Sequence, residues 1–194
     1  MGSYLSLTKP IIQSKEPIQI LMIGLDCGGK TSILYKIRLG EHIQRNDFYV
    51  DVVEYKNITF VSWDIGGSDK IRGKYCPEWR KYYKNTTHVI FVVDSNDRER
   101  VCWAKQEFAE VMQEEYLKDI PVLVFANKQD LPNHLTTDEI VEQLELESIL
   151  ESKHWHIQPC CAISGDGLKE GFDWICIDAI QNISRFKQAK SARS

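Results

Sequence analysis

Short apolar runs alternate along the chain with segments of helical periodicity. The runs are rich in Val, Ile, Phe or Trp, and most end at Gly, Asn or Asp, which is typical of buried strands. These predicted strands cover residues 17–24, 50–55, 58–64, 88–94, 120–127 and 155–162. Only Lys56 and Asn57 separate the second run from the third, so this pair is predicted to form a β-hairpin.

Between the runs, apolar residues recur every three or four positions, which is the period of an amphipathic helix. This spacing predicts helices over residues 30–39, 98–116, 138–146 and 168–183. Because strands alternate with helices, we predict an α/β fold with a mostly parallel six-stranded sheet and helices on both faces. One antiparallel strand, from the hairpin, is expected at an edge.

Length and composition predict one domain with short tails. The chain has 194 residues, of which 43% are hydrophobic and 27% charged, as in ordinary globular proteins. We expect a tail over residues 1–16, a domain over 17–184 and a basic tail over 185–194. The net charge of −4 argues against a nucleic-acid partner bound through a basic surface, and we expect a monomer.

Several patterns bear on the compartment. The longest apolar runs are far shorter than the roughly 18 residues that span a bilayer, and no secretory signal is recognised at the N-terminus. The six cysteines form no Cys-x-x-Cys pair, so we expect free thiols in a cytoplasmic protein. A metal site at His154, His156, Cys160 and Cys161 is disfavoured, because ligands so close together on one strand do not converge tetrahedrally.

The segment GLDCGGKT, residues 24–31, has the G-x-x-x-x-G-K-[ST] pattern between the first predicted strand and helix. Its glycines let consecutive N–H groups point at phosphate oxygens, beside the positive end of the helix dipole. Lys30 is expected to reach the β- and γ-phosphates, and the Thr31 hydroxyl to bind Mg²⁺. The expected phosphate-side residues are Asp26, Cys27, Gly28, Gly29, Lys30, Thr31 and Ser32.

The tetrapeptide NKQD follows the fifth predicted strand and suggests a guanine reader. The Asp130 carboxylate can accept from the ring N–H and the exocyclic amine of guanine, whereas adenine offers neither donor. Asn127 can bond the purine edge and brace the phosphate loop, and the Lys128 stem can lie across the ring. After the last strand, Cys161 and Ala162 place the Ala162 N–H where it can meet the guanine carbonyl.

The third predicted strand ends in the segment DIGG, residues 64–67. Asp64 is expected to hold Mg²⁺ through a water, and the Gly67 N–H to sense a γ-phosphate. An acidic strand end followed by a glycine turn is the plainer explanation when this segment is taken alone. We therefore assign the role only because the two motifs described above accompany it.

Together, GLDCGGKT, WDIGGSDKIR, FVVDSNDRERV, VLVFANKQDLP and CAISGDGL resemble the Arf and Arl (ADP-ribosylation factor-like) family of small GTPases over residues 19–183. The resemblance implies a P-loop NTPase small G domain that binds GTP or GDP with Mg²⁺. It also implies a switch that binds effectors and the cytosolic face of an intracellular membrane with GTP. Exchange factors and GTPase-activating proteins are the implied partners.

By the same resemblance, Phe48, Trp63 and Tyr82 match an aromatic triad that effectors contact. Packing in the hairpin and a helix is an equally good explanation of these three residues.

Two departures from the family pattern affect hydrolysis. The family carries a Pro-Thr-x-Gly segment whose threonine binds Mg²⁺, but residues 42–48, HIQRNDF, contain no threonine. Asn46 or Asp47 could offer Mg²⁺ an oxygen instead, although Asp47 would repel the γ-phosphate. Arg45 could act as an arginine in cis, but a solvated loop charge is the favoured explanation. Ser68 replaces the catalytic glutamine, so of the expected catalytic groups Lys30, Gly67 and Ser68 the last is too short to orient the water.

These departures leave three functions to compare. The first is an Arf-like switch with slow or partner-dependent hydrolysis. The second is a nucleotide-binding pseudo-GTPase scaffold that does not switch. The third is a P-loop kinase or ATPase, against which Asp130 argues.

The first residues, MGSYLS, fit the M-G-x-x-x-[ST] pattern, so Gly2 is a candidate for N-myristoylation. One acyl chain gives only reversible binding, so a second signal is needed. The four basic residues at the C-terminal end can attract anionic lipid, or can belong to a solubilising tail. These are Arg185, Lys187, Lys190 and Arg193.

Overall fold

The protein is described by a computed structural model that covers residues 18–37, 43–47, 50–55, 58–64 and 80–181. The strands in these ranges are β1 (Ile18–Gly24), β2 (Ile43–Asp47), β3 (Val50–Tyr55), β4 (Ile58–Asp64), β5 (His88–Asp94), β6 (Val122–Asn127) and β7 (Trp155–Pro159). The α-helices are α1 (Lys30–Ile37), α2 (Arg80–Tyr83), α3 (Val101–Met112), α4 (Thr137–Gln143), α5 (Leu146–Ile149) and α6 (Leu168–Gln181). A 3₁₀ turn covers Glu115–Leu117.

The strands form one sheet in the order β2-β3-β4-β1-β5-β6-β7. All neighbours from β4 to β7 pair in parallel, and β3 pairs antiparallel with both β4 and β2. The mostly parallel α/β sheet and the β3–β4 hairpin were predicted from the chain's pattern, and both are confirmed. Parallel neighbours need helical crossovers, which accounts for helices between these strands.

The predicted count of six strands is one too low, and the antiparallel strand is not at the edge. The additional strand β2 has the sequence IQRND, in which four polar residues follow Ile43, so no apolar alternation marks it. It forms because its backbone pairs along β3, from Ile43 opposite Val53 to Asp47 opposite Val50, with a bulge after Arg45. This pairing depends on the neighbouring strand, which local sequence does not reveal.

Alternation along the central strands divides the core into two layers. In β1, Leu21 and Ile23 join a cluster that includes buried residues of α3 and α4. Ile20 and Met22 point the other way and join a cluster that includes buried residues of α1 and α6. Burying such a side chain contributes about 1.5–3 kcal/mol. The prediction of helices on both faces is therefore confirmed.

The strand ends bring the predicted motifs to one edge of the sheet. Gly24 at the end of β1 is opposite Asp64 at the end of β4. Asp94 at the end of β5 is opposite Asn127 at the end of β6. The last strand ends at Pro159, three residues before its predicted end, so residues 160–162 lie in the loop that follows. Ligands of open parallel sheets bind at this edge.

Within the described ranges, no helix is both long enough and apolar enough to cross a bilayer.

Candidate nucleotide-binding site

The predicted phosphate loop, residues 24–31, is packed tightly against two other strand ends. A Cβ at Gly24 would collide with the Val92 carbonyl oxygen in β5. Gly29 has a φ of +99°, and a Cβ there would collide with the Asn127 amide nitrogen at the end of β6. Because only glycine fits both positions, the loop can curl closely around its own backbone.

Lys30 begins α1 and places its ammonium group inside this curl. The side chain is buried, and Nζ donates to the carbonyl oxygens of Gly24, at 2.9 Å, and Leu25, at 2.7 Å. These bonds hold the two ends of the loop together. Thr31 and Ser32 follow in the first turn of α1, where Thr31 is half-buried and Ser32 is exposed.

The donor set of this loop fits a polyphosphate. A buried cation, a glycine-rich backbone and a helix N-terminus lie together, and all three favour anionic oxygens. Thr31 would hold Mg²⁺ beside this loop, and Asp64, predicted to share the ion, has its backbone next to Gly24 and its side chain outside the described residues. Mg²⁺ would neutralise phosphate charge there.

Asn127 joins the phosphate loop to the loop after β7. It is fully buried, its amide Nδ2 donates to the Gly28 carbonyl at 2.8 Å, and its Oδ1 accepts the Ala162 N–H at 2.9 Å. The Cys160 thiol also donates to Oδ1, at 3.6 Å. A backbone carbonyl only accepts and a backbone N–H only donates, so these partners determine the orientation of the amide. The brace predicted for Asn127 is therefore present.

The loop after β7 is closed by its own backbone bonds. The Cys161 N–H donates to the Asp166 carbonyl at 2.9 Å, and the Gly165 N–H donates to the Cys161 carbonyl at 2.8 Å. The Ala162 N–H was predicted to meet a guanine carbonyl, but in this structure it donates to Asn127. Lys36 in α1 donates from Nζ to the Ile163 carbonyl at 2.9 Å and links this loop to the phosphate side.

The residues after Asn127 turn sharply and are held in place. Lys128 has a φ of +69°, and its Nζ donates to the Asp94 carboxylate at 2.5 Å. Gln129 donates from Nε2 to Ser95 Oγ at 2.9 Å and to the Leu135 carbonyl at 3.2 Å. These contacts attach the turn to the residues that follow β5.

Asp130 is exposed at the same edge of the sheet. Among the described residues, no group hydrogen-bonds to its carboxylate, so both oxygens can accept from a ligand. The predicted base reader and the predicted phosphate loop thus lie at one edge, joined through Asn127.

A sequence model of the ADP-ribosylation factor family matches residues 4–179, which is most of the chain. The chain belongs to the ADP-ribosylation factor family. It is therefore a GTP-binding small GTPase, and this class argues against the P-loop kinase or ATPase considered from the sequence. Members of the family bind GTP, GDP and Mg²⁺, act with exchange factors, GTPase-activating proteins and effectors, and are associated with traffic at cytosolic membrane faces.

An ion-pair group next to the Arf phosphate loop was not predicted. Asp26, expected on the phosphate side, directs its carboxylate to Arg100, with Nη1 at 2.7 Å. Arg100 also donates from Nε to Asp97 at 2.6 Å. The hydrogen bond that Arg100 donates to Asp97, together with the charges of both carboxylates, raises the pKa of Arg100 against the opposing effect of burial. The alternating acids and arginines of DSNDRER indicate ion pairs. Spacing along the chain does not show that Arg100 also pairs with Asp26.

The neighbouring Cys27 is exposed and has a φ of +60°, a conformation that residues with a side chain rarely adopt. Cys160 is buried, and burial, reinforced by Cys161, raises the pKa of its thiol, so it remains a neutral donor to Asn127. The five described cysteines are free thiols, as predicted, and Cys76 lies outside the described residues.

Several predicted Arf-type positions lie outside the described residues. These are Gly2, Phe48, Gly67, Ser68 and the two tails. The backbone of Trp63 lies in β4 opposite Val50, but the structure does not describe its side chain. Tyr82 is half-buried against the core, and its carbonyl accepts from Gln19 Nε2 at 2.5 Å, which favours the packing explanation for this residue.

A second buried polar group lies at the opposite end of the sheet, where β5 begins. His88 Nε2 lies 3.3 Å from one oxygen of Asp178, and His154 Nδ1 lies 2.5 Å from the other. Burial opposes ionisation of Asp178, but the bonds and charges of His88 and then His154 outweigh it, so the pKa of Asp178 is lowered. Within the described ranges, no three His, Cys, Asp or Glu side chains are arranged to hold a metal ion.

Proposed function

We propose that this member of the Arf family is a guanine-nucleotide switch whose own GTP hydrolysis is slow. The observation that carries the proposal is the buried Asn127, which bonds to both the phosphate loop and the loop after β7. It makes the phosphate cradle and the base-reading turn one continuous site. Nucleotide binding in such a site orders both loops together.

Asp130 selects the base in this proposal. Its carboxylate, which has no hydrogen-bond partner among the described residues, accepts the ring N–H and the exocyclic amine of guanine, and Lys128 covers one face of the ring. Adenine would leave the carboxylate without donors, which disfavours adenine by several orders of magnitude in comparable sites. For the Ala162 N–H to contact the guanine carbonyl as well, it must first leave Asn127.

The base assignment is tested by titrating GDP, GTP, ATP and xanthosine diphosphate with and without Mg²⁺. We expect the unmodified chain to prefer guanine nucleotides, and Asp130→Asn to shift the preference toward xanthosine diphosphate, because an amide presents a donor where the carboxylate presents an acceptor. Asp138→Asn, the same substitution at an exposed position of α4, is the matched control. Tighter binding of ATP than of GTP by the unmodified chain would contradict the assignment.

Slow hydrolysis is proposed from the sequence at residue 68. A serine hydroxyl is too short to orient the attacking water as a glutamine does, so restoring the longer side chain should speed the reaction. We expect Ser68→Gln to raise the single-turnover rate of GTP hydrolysis, while Ser68→Ala leaves it unchanged. A Ser68→Gln rate equal to that of the unmodified chain would remove this explanation.

A non-switching scaffold is the second candidate function, and one observation favours it. Residues 42–48 lack the family's threonine, and residues 43–47 are paired with β3 in the sheet. Hydrogen exchange of residues 43–55, measured with GDP and with a non-hydrolysable GTP analogue, distinguishes the switch from the scaffold. A change in protection supports the switch, whereas equal protection supports the scaffold.

Membrane attachment is proposed through myristoylated Gly2 together with the basic residues after 184. One acyl chain with a few basic residues gives reversible binding that weakens with salt. Flotation of the acylated chain with vesicles that contain anionic lipid tests this. Equal flotation of Gly2→Ala would contradict it.

A further inference from the structure

The carboxylate of Asp94 is held by two partners at the end of β5. Its side chain is 14% exposed, and Oδ2 accepts from Lys128 Nζ at 2.5 Å. Its other oxygen, Oδ1, accepts the backbone N–H of Asn96 at 3.0 Å. Because Asp94 is opposite Asn127 in the sheet, the carboxylate lies beside the turn that carries the base-reading residues. The Asn96 bond orients the carboxylate, so the oxygen that faces Lys128 is fixed.

Both ends of the Lys128 side chain are restrained by this arrangement. At the backbone end, the residue has a φ of +69° and its carbonyl accepts the Leu131 N–H at 3.1 Å. At the charged end, Asp94 holds the ammonium group. The Lys128 side chain is 31% exposed and belongs to the turn that ends in Asp130. Without Asp94, the ammonium group would keep no ion-pair partner among the described residues.

We propose that Asp94 is a positioning residue for purine binding, because it holds the Lys128 stem where the stem covers one face of the base. The proposal rests on the function proposed above and adds a residue to that site. A free lysine samples many rotamers, and restricting it upon binding opposes association. Asp94 restricts the side chain in the folded protein, before any ligand arrives.

This role predicts a particular dependence on the base. Lys128 would contact the flat face of the ring, which guanine and hypoxanthine share, whereas Asp130 reads the edge that carries the exocyclic amine. Loss of Asp94 should therefore weaken the binding of GDP and the binding of inosine diphosphate by the same factor. A residue that acted through Asp130 would affect GDP more.

Asp94→Asn is the informative variant because it keeps the shape and one acceptor oxygen. That oxygen can bond to either Asn96 or Lys128, and the new amide nitrogen can bond to neither, since both partners are donors. We expect about a tenfold faster release of GDP, the change that follows from losing one charge-assisted hydrogen bond. Lys128→Met removes the charge and keeps the stem, so it serves as the background for a double-mutant cycle.

The experiment measures release of GDP and of inosine diphosphate from the unmodified chain, the two single variants and the double variant, with melting temperatures without nucleotide. We expect Asp94→Asn to have no further effect in the Lys128→Met background. Asp173→Asn, which removes a carboxylate paired with Lys169 on α6, should leave release unchanged.

Four results would overturn the role of Asp94. A larger effect of Asp94→Asn on the release of GDP than of inosine diphosphate shows that the residue acts through Asp130. Unchanged release in Asp94→Asn removes the role of Asp94 while the proposed function stands. An equal effect of Asp94→Asn with and without Lys128 shows that the carboxylate acts on the fold. Failure of the unmodified chain to bind GDP removes the proposed function and this role together.

Discussion

The sheet carries a buried polar group at each end, and the two are built from different chemistry. At the carboxyl end, the neutral amide of Asn127 bonds to backbone groups of Gly28 and Ala162. At the amino end, the carboxylate of Asp178 bonds to His88 and His154. The first group does not titrate and the second does. The bonds of Asn127 are therefore independent of pH, whereas the bonds of Asp178 depend on it.

The two groups also differ in what they connect. Asn127 joins two loops that no strand pairing holds, so its loss leaves a buried carbonyl and a buried N–H without their partner. Asp178 joins α6 to the start of β5 and to His154, which precedes β7, and the sheet already holds those strands. Substitution at the site end should therefore affect both folding and binding, while substitution at the far end should affect folding alone.

The largest effect is expected for Asn127→Ala. Each of the two buried backbone groups that loses its partner costs about 1–3 kcal/mol, so the free energy of unfolding should fall by about 2–6 kcal/mol. GDP binding should be lost as well, because the phosphate loop and the loop after β7 are no longer joined. Urea unfolding and GDP titration measure these changes. Asn85→Ala, at an exposed turn, is the control. If Asn127→Ala kept its affinity for GDP, substitution at the site end would not affect both folding and binding.

A smaller effect is expected for Asp178→Asn, and it depends on pH. The pKa of Asp178 is lowered in the folded protein, so its contribution is present above the unfolded pKa of about 3.9 and is lost as pH falls through the lower folded value. At neutral pH the variant should be less stable by about 1–2 kcal/mol, and the difference should shrink below about pH 4. Urea midpoints between pH 7 and pH 3 measure this.

Two results would speak against this account of Asp178. A stability difference that stays constant across the whole pH range would mean that ionisation of the carboxylate is not responsible. A change in GDP affinity at neutral pH would mean that the far end is coupled to the site. Glu151→Gln, at an exposed position, controls for the loss of one negative charge.

The smallest effect is expected for His154→Ala. The side chain is about half exposed, so solvent screens its pairing with Asp178, and His88 remains as a buried partner. The variant also loses a ring contact with Trp174, whose centroid lies 4.9 Å away. We expect a loss of about 0.5–1 kcal/mol at neutral pH with unchanged nucleotide release. A loss of stability larger than that caused by Asp178→Asn would contradict the expectation that His154→Ala has the smallest effect.

Prediction from the sequence succeeded where a feature is encoded in adjacent residues. The phosphate loop, the NKQD turn and the hairpin around Lys56 and Asn57 each consist of a short pattern with its own geometry. The central strands were also found, because β5 and β6 are buried on both faces and are apolar over residues 89–93 and 122–126. The strand β2 was missed, since its polar residues become a strand only by pairing with β3.

The same difference applies to the candidate site. The motif NKQD pointed to Asn127, Lys128 and Asp130, whereas the residues that contact them were not predicted. Asp94 lies 34 residues from Lys128 along the chain, and Arg100 lies 74 residues from Asp26. Each pair forms only because separate strands end at one edge of the sheet.

The alternation of strands and helices and the segments GLDCGGKT and NKQD could be predicted from the sequence, because they depend on side-chain period or on a few adjacent residues. The orientation of Asn127, the pairing of Asp94 with Lys128 and the position of Asp178 between two histidines appear only in the folded chain. Hydrogen bonds and ion pairs between distant residues depend on distances of a few ångströms. Those distances exist only once the sheet has brought the strand ends together.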